Sequence, residues 1–450
     1  MTADGYERPG DGGAAAIEPS LRRVAALALP ALVVLAAEPI YVLVDTAVIG
    51  HLGRTPLAAL AIGGTVMSLL ALLGNVLAYG TTGRAARQFG AGQRAAAVAE
   101  GVQASWLALA AGLAMALGAQ AFAGPLAGAI SGHNPAVAGA AARWLRIASL
   151  GAPGLMLATA GNGWMRGVQD TRRPLLYILG ANGLSAVLCP VLVYGAGWGL
   201  PGSAVANAAA QTTSGLLFAR ALVAERVSLR PHVQTISRLL VLGRDLLVRG
   251  LAFQACFLSA AAVAARFGTA ALAAHQIALQ LWMFAALVLD AVAIAAQSLV
   301  GAALGGSRAD EARWLVRRIT AAGGLCGLAL GALIAAVAGF LPRWFGADDA
   351  VVAQAMLAWP WFAAMQPLCG VVFALDGVLV GAGDVRYLRN LTIVAALGGF
   401  LPAVWLAWWI DLGLGGVWAG LTLFIVIRLA ALLLRLRSGR WATLGARAPS

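Results

Sequence analysis

Apolar runs of about twenty residues or more recur along this chain, broken by short stretches in which Arg, Gly, Pro and Asp collect. A run of that length crosses ~30 Å of hydrocarbon as a helix, so the alternation predicts membrane spans. Twelve are predicted, near 23–49, 57–82, 97–123, 137–166, 174–195, 199–222, 239–266, 272–300, 315–341, 351–380, 388–410 and 414–436. The polar segment "VAERVSLRPHVQTISR" (223–238) falls midway and divides them into two sets of six. The expected fold class is all-α integral membrane, with twelve transmembrane helices in two pseudo-symmetric six-helix lobes. The lobes are expected at 21–222 and 239–436, joined by a cytoplasmic linker at 223–238. Residues 1–20 are polar and Gly-rich and lack the basic-then-apolar order of a cleavable signal. They read as a disordered cytoplasmic tail, and 437–450 as a second tail.

The two sets of six are similar in sequence. The stretch from Leu57 aligns without gaps to that from Leu272, an offset of 215, which places Asn75 on Asp290. Around the fourth and tenth spans the offset is 214, pairing Pro153 with Pro367, Asn162 with Asp376, Gly163 with Gly377, Gly167 with Gly381 and Asp170 with Asp384. A repeat of six spans returns to the same side of the bilayer, so the halves have parallel topology about an axis along the membrane normal. That arrangement suits a transporter with its pathway between two lobes.

Composition agrees with the pattern: of 450 residues 61% are hydrophobic and 11% charged, and the mean hydropathy is +0.84. All 31 basic residues are Arg, giving a net charge of +13. In a soluble protein this would suggest nucleic-acid binding, but here the arginines gather at alternate helix ends, which is how orientation is set in a membrane. No nucleic-acid partner is expected. Arg22, Arg23, Arg84, Arg87, Arg94, Arg172, Arg173, Arg226 to Arg238, Arg308 to Arg318, Arg386, Arg389 and the tail from Arg435 fall on one side, which places both termini in the cytoplasm. Cys189, Cys256, Cys326 and Cys369 lie singly in apolar stretches and indicate neither a disulfide framework nor a zinc site.

An ionised acid at the centre of a lipid-facing helix costs ~2.5 to 3.5 kcal/mol, so such residues face a bundle interior or a wet cavity. Glu38, Asp45, Asp290 and Asp376 are the intramembrane candidates. Glu38 and Asp45 are seven apart, on one helix face about 10 Å apart along the axis, with Tyr41 between them. An acid buried in one conformation and wetted in another takes up and releases a proton as the protein changes shape. Asp45 is therefore a candidate coupling site, against the alternative of a structural acid satisfied by Tyr or Asn.

Asn162, Asn182, Ser185, Asn207 and Gln211 would complete a first-lobe pocket, with Ser203, Asn207 and Gln211 in one stripe at i, i+4 and i+8. Interhelical hydrogen bonding and ligand binding explain that stripe equally well. In the second lobe His275, Gln276 and Gln280 lie near the outer end of the eighth span. Arg244, Asp245 and Arg249 begin the seventh, where a local ion pair is the simplest account.

The stretches "EPIYVLVDTAVIGHLG", "LAALAIGG", "GNGWMRGVQDTRRP", "LAAHQIALQ" and "LDGVLVGAGD", in this order and spacing, resemble the multidrug and toxic compound extrusion (MATE) family, specifically its DNA-damage-inducible (DinF-type) branch. The resemblance runs from about residue 22 to 436. It implies two lobes that rock between outward-open and inward-open states, exporting organic cations or other amphipaths in exchange for H⁺ or Na⁺. Asp45 matches the family's first-span Asp, which takes part in cation coupling; Asn162 matches its fourth-span Asn, and Asp376 the tenth-span acid of some relatives.

The chain departs from the pattern on the fifth span. Where many relatives carry N-x-x-x-D-P, it reads "SAVLCP", with Ser185 and Cys189 before Pro190. A thiol does not replace a carboxylate as a proton carrier or hard-cation ligand, so Glu38 is the nearest substitute by sequence. The missing Asp favours H⁺ for the first lobe, while Asp290 and Asp376 leave Na⁺ open for the second.

The expected function is cation-coupled multidrug antiport in the cell membrane by a monomer, with small amphipathic molecules and the bilayer as partners. No cofactor is expected beyond H⁺ or Na⁺ as coupling ion. A lipid-intermediate flippase of related fold is the alternative; it would need a basic central cavity. An intramembrane enzyme finds no HExxH, GxSxG or paired catalytic acids.

Overall fold

The computed structural model describes residues 21–132 and 134–446; the expected tail at 1–20 lies outside them. The first half contains α1 (Leu21–Gly50), α2 (Arg54–Gly90), α3 (Arg94–Ile130), α4 (Pro135–Ala148), α5 (Ala152–Gly167), α6 (Arg172–Pro190) and α7 (Leu200–Ala224). The second contains α8 (Val233–Arg266), α9 (Thr269–Gly305), α10 (Ala309–Ala336), the short α11 (Leu341–Trp344), α12 (Asp349–Ala382), α13 (Val385–Ala395), α14 (Leu401–Trp409) and α15 (Gly413–Arg437). No strand occurs among the described residues.

Among the described residues, ten helical segments are long and apolar enough to cross a membrane. The two that complete twelve fall short for visible reasons. The fourth span is broken into α4 and α5 by a 3₁₀ turn at Ser149–Gly151, just before Pro153, and carries Arg143, Arg146 and Arg166. The sixth, α7, carries Ser203, Asn207, Gln211, Thr212 and Thr213. Single π-turns interrupt the fifth and eleventh spans, at Val191–Gly195 after Pro190 and at Ala396–Phe400 before Pro402. Such turns open the backbone ladder locally and are frequent at functional sites.

Helix extends into both ends of the predicted linker, leaving only residues 225–232 irregular. That stretch is pinned to α3: Gln103 donates to the Arg230 carbonyl (3.0 Å) and accepts from His232 N, and Trp106 Nε1 donates to the Leu229 carbonyl (2.8 Å).

Close helix approaches repeat between the halves. A Cβ on Gly163 would press on the backbone of Ala78, and one on Gly377 on that of Ala293; Gly112 faces Pro153, and Gly327 faces Pro367. Each partner is displaced by the offset that aligns the sequences. The halves also meet reciprocally, Gly90 against Ala302 and Gly305 against Arg87. These are the two members of one contact exchanged by the repeat operation.

Among the described residues, α2 and α5 are joined to the second half by Tyr79–Asp290, Gln297–Tyr79 carbonyl, Ser298–Arg166 carbonyl (2.7 Å) and Arg87–Ala382 carbonyl (2.7 Å). All lie at the level of Tyr79 or toward the arginine-rich ends of α2 and α9. The helix α1 crosses between the lobes, its first half packing Ala31, Leu32 and Leu35 on Ala291 and Ile294 of α9. Its second half meets α6 and α7, where Tyr194 Oη donates to the Val48 carbonyl.

Candidate functional site

In the first lobe, Ala37, Tyr41, Asp45 and Ile49 recur every fourth residue and form the buried stripe of α1. Asp45 is 4% exposed, and its Oδ1 accepts a hydrogen bond from Cys189 Sγ of α6 at 3.1 Å, one residue before Pro190 and the π-turn. The departing residue of the fifth span is thus the one that meets Asp45. Tyr41 Oη accepts from Asn207 Nδ2 of α7 at 3.1 Å, and Ser203 Oγ accepts from Trp144 Nε1 at 3.2 Å. Two members of the α7 stripe therefore make interhelical bonds. Among the described residues, Gln211 and Asn182 are half-buried without a hydrogen-bond partner, and Ser185 Oγ and Asn162 Oδ1 are buried without one.

Glu38 lies in register with Asp45 but is exposed and has no ion-pair partner among the described residues. Helical spacing places two residues on one face; it does not say that the face is covered at both levels. Glu38 stands next to Pro39, where α1 passes from α9 toward α6.

A second centre lies between the lobes, a cavity of about 310 Å³. Asn75 and Tyr79 of α2 face Arg249, Phe253 and Phe257 of α8, Trp282 and Asp290 of α9, Phe373 and Asp376 of α12, and Arg428 of α15 across it. The repeat mates Asn75 and Asp290 line the same space, one from each half. Asp290 accepts from the Tyr79 hydroxyl. Asp376 Oδ2 accepts from Arg249 Nη2 and from Arg428 Nη2, both at 2.5 Å, while its Oδ1 and the two Nε atoms have no partner. Both guanidiniums also lie over the Phe253 ring, their Cζ atoms 5.6 and 4.9 Å from its centroid.

The sequence reading kept the arginines at helix ends, and here it requires correction. Arg428 is 1% exposed, Arg166 6%, and Arg249 reaches the cavity rather than closing a local pair; the local pair is Arg244–Asp245, shared with Arg389 (2.7 Å). The cost of burying charge that singles out acids within spans applies equally to arginines within spans, and that signal would have found all three. His275 is fully buried against Trp418 with neither ring nitrogen bonded. At the arginine-rich end Asp170 pairs with Arg173 (3.2 Å) and Asp384 with Arg435 (2.6 Å).

A twofold-repeated helical bundle whose ionisable groups converge between two lobes is the architecture of a membrane transporter. The chain belongs to the MatE family, whose profile it matches twice, over residues 30–191 and 246–405, once in each half. It is 32% identical over 431 residues to DNA damage-inducible protein F of Escherichia coli K12, covering 92% of each chain. It is 30% identical over 444 residues to Protein DETOXIFICATION 44, chloroplastic, of Arabidopsis thaliana, covering 94% of this chain and 83% of that one. Among solved structures, a MATE crystallised in the bent conformation superposes with a TM-score of 0.85 at 22% identity, covering 93% of this chain and 96% of that one. The protein is thus a multi-pass membrane transporter of the DNA-damage-inducible branch, and not an enzyme.

Proposed function

We propose that the protein is a secondary active exporter in which a cation, H⁺ in preference to Na⁺, binds at Asp45 and exchanges for an amphipathic small molecule held between the lobes. One observation carries the reading: Asp45 is a buried carboxylate whose hydrogen-bond donor is a thiol and which has no cationic partner among the described residues. Keeping a lone carboxylate charged at that depth is costly, so a proton is its natural counter-charge. With Cys189 in place of a second carboxylate the site carries one negative charge, matched by one proton. A hard cation asks for several oxygen ligands instead.

The arginine-rich end is cytoplasmic by the positive-inside rule, and the cross-lobe bonds seal that end. The state is then closed toward the cytoplasm, with Asp45 in the outer half of α1. Protonation there and substrate binding between the lobes favour different states, and each displaces the other through that differential affinity. Asp376 and Asp290 already have Arg and Tyr partners, and the coupling role is assigned to Asp45 alone. The host membrane is the cell membrane, both termini are cytoplasmic, and one monomer contains the whole pathway. Arg249 and Arg428 supply the basic cavity that the flippase alternative asks for, so size is what separates the two readings: a cavity of about 310 Å³ suits a drug-sized molecule better than a lipid-linked sugar.

The test uses proteoliposomes under separately imposed proton and sodium gradients, with a panel of cationic and anionic amphipaths. Substrate addition releases protons from the wild type, and Asp45→Asn abolishes the exchange. Undiminished exchange in that variant removes Asp45 from the mechanism.

A further inference from the structure

We infer that the cavity between the lobes selects amphipathic anions, molecules with one carboxylate or sulfonate on a flat aromatic body, and that Asp376 occupies the anion's place when the transporter is empty. This rests on the export reading above and names its substrate class.

The charges come first. Arg249 and Arg428 both line the cavity and both donate to the same oxygen of Asp376, each through a single Nη2. Guanidinium and carboxylate pair best in a two-bond fork, and here neither pair forms one. Arg428, 1% exposed, and Arg249 each use one of five N–H donors, and Asp376 Oδ1 is left without a partner. Such a triad has spare capacity: Asp376 can close a fork with one arginine while an incoming anion takes the other. Arg166, also buried, lies in electrostatic contact with Asp290 and Tyr79. Two guanidiniums in the lining and Arg166 beside Asp290 thus stand against two carboxylates, an excess of basic groups that an anionic ligand offsets.

The lining supplies the rest of the ligand. Phe253, Phe257, Trp282 and Phe373 surround the charged triad with flat apolar faces. A cation would find Asp376 already held by two guanidiniums that repel it, and Asp290 already bonded by Tyr79.

The experiment is equilibrium binding to the full-length protein in nanodiscs of zwitterionic phosphatidylcholine, with no ion gradient. The probes share one ring system: radiolabelled 2-naphthalenesulfonate, neutral 2-naphthol and cationic 2-naphthyl-trimethylammonium. The anion should bind at least about tenfold tighter than either analogue, a margin one charge-assisted contact can provide. Arg249→Gln should weaken it by a similar factor.

The decisive variant is Asp376→Asn. Removing the internal competitor should tighten anion binding several-fold and leave the weaker cation binding unchanged, whereas loss of cation binding in this variant would mark Asp376 as a cation ligand and overturn the inference. Equal or preferential binding of the cation by the wild type, or weakened anion binding in Asp376→Asn, overturns the inference. If cationic substrates then still drive proton exchange in the liposome assay, only the substrate class fails and the export reading stands.

Discussion

At the scale of single residues, the two acids of α1 have separated. Asp45 is enclosed and bonded by Cys189, while Glu38, two turns away in the same register, is exposed and unpaired. Glu38→Gln should accordingly exchange protons for substrate at close to the wild-type rate in the liposome assay; loss of coupling would make Glu38 the substitute for the missing fifth-span carboxylate. The opposite behaviour is expected where a charge is tightly paired. Asp376→Asn leaves Arg249 and Arg428 facing each other without their shared acceptor, a loss of about 3–5 kcal/mol for a broken buried pair. Thermal unfolding of the purified variant should show a lowered midpoint that saturating 2-naphthalenesulfonate partly restores, since a ligand that binds only the folded state stabilises it.

At the scale of elements, the helices approach where the sequence lacks side chains. Gly377 of α12 abuts the backbone of Ala293 on α9, so Gly377→Ala forces two main chains apart and should destabilise by about 1–3 kcal/mol as an overpacking change. Gly118 on α3 has nothing within 4 Å of an added Cβ, and Gly118→Ala should leave the unfolding midpoint unchanged or slightly raised. Equal effects of the two would show that the α9–α12 contact is not the tight one. The same reasoning explains why a six-span repeat could be read at all. The paired glycines and prolines mark backbone contacts that both lobes must preserve, whereas lipid-facing Leu, Ala and Val can change freely.

For the whole molecule, one of the cross-lobe side chains that hold the arginine-rich end shut reaches furthest toward it. Arg87 of α2 is fully buried and donates to the carbonyls of Ala382 (2.7 Å) and Gly445 (3.1 Å). Ala382 ends α12, so the guanidinium satisfies a helix C-terminus across the lobe interface. Gly445 N in turn donates to the Leu304 carbonyl of α9 (3.0 Å), so the segment after α15 that reads as a tail is bonded to both lobes. Arg87→Met should loosen this end. Hydrogen–deuterium exchange at residues 298–305 should rise in the variant; exchange that stays at the wild-type level would mean that the other cross-lobe contacts keep the gate closed.

Twelve spans, a repeat and an intramembrane Asp45 followed from the sequence because each depends on local physics: the length of an apolar run, recurrence at a fixed offset, and the cost of a charge in hydrocarbon. The family branch was legible for the same reason, in motifs whose order survives along one chain. Which charges meet was not legible. Arg249, Asp376 and Arg428 stand on α8, α12 and α15, 127 and 52 residues apart, and no periodicity along a helix relates them. The exposure of Glu38, the thiol against Asp45 and the bonded tail depend likewise on how helices distant in sequence are stacked. The tertiary structure alone decided these, because partners and coverage are properties of the packed bundle.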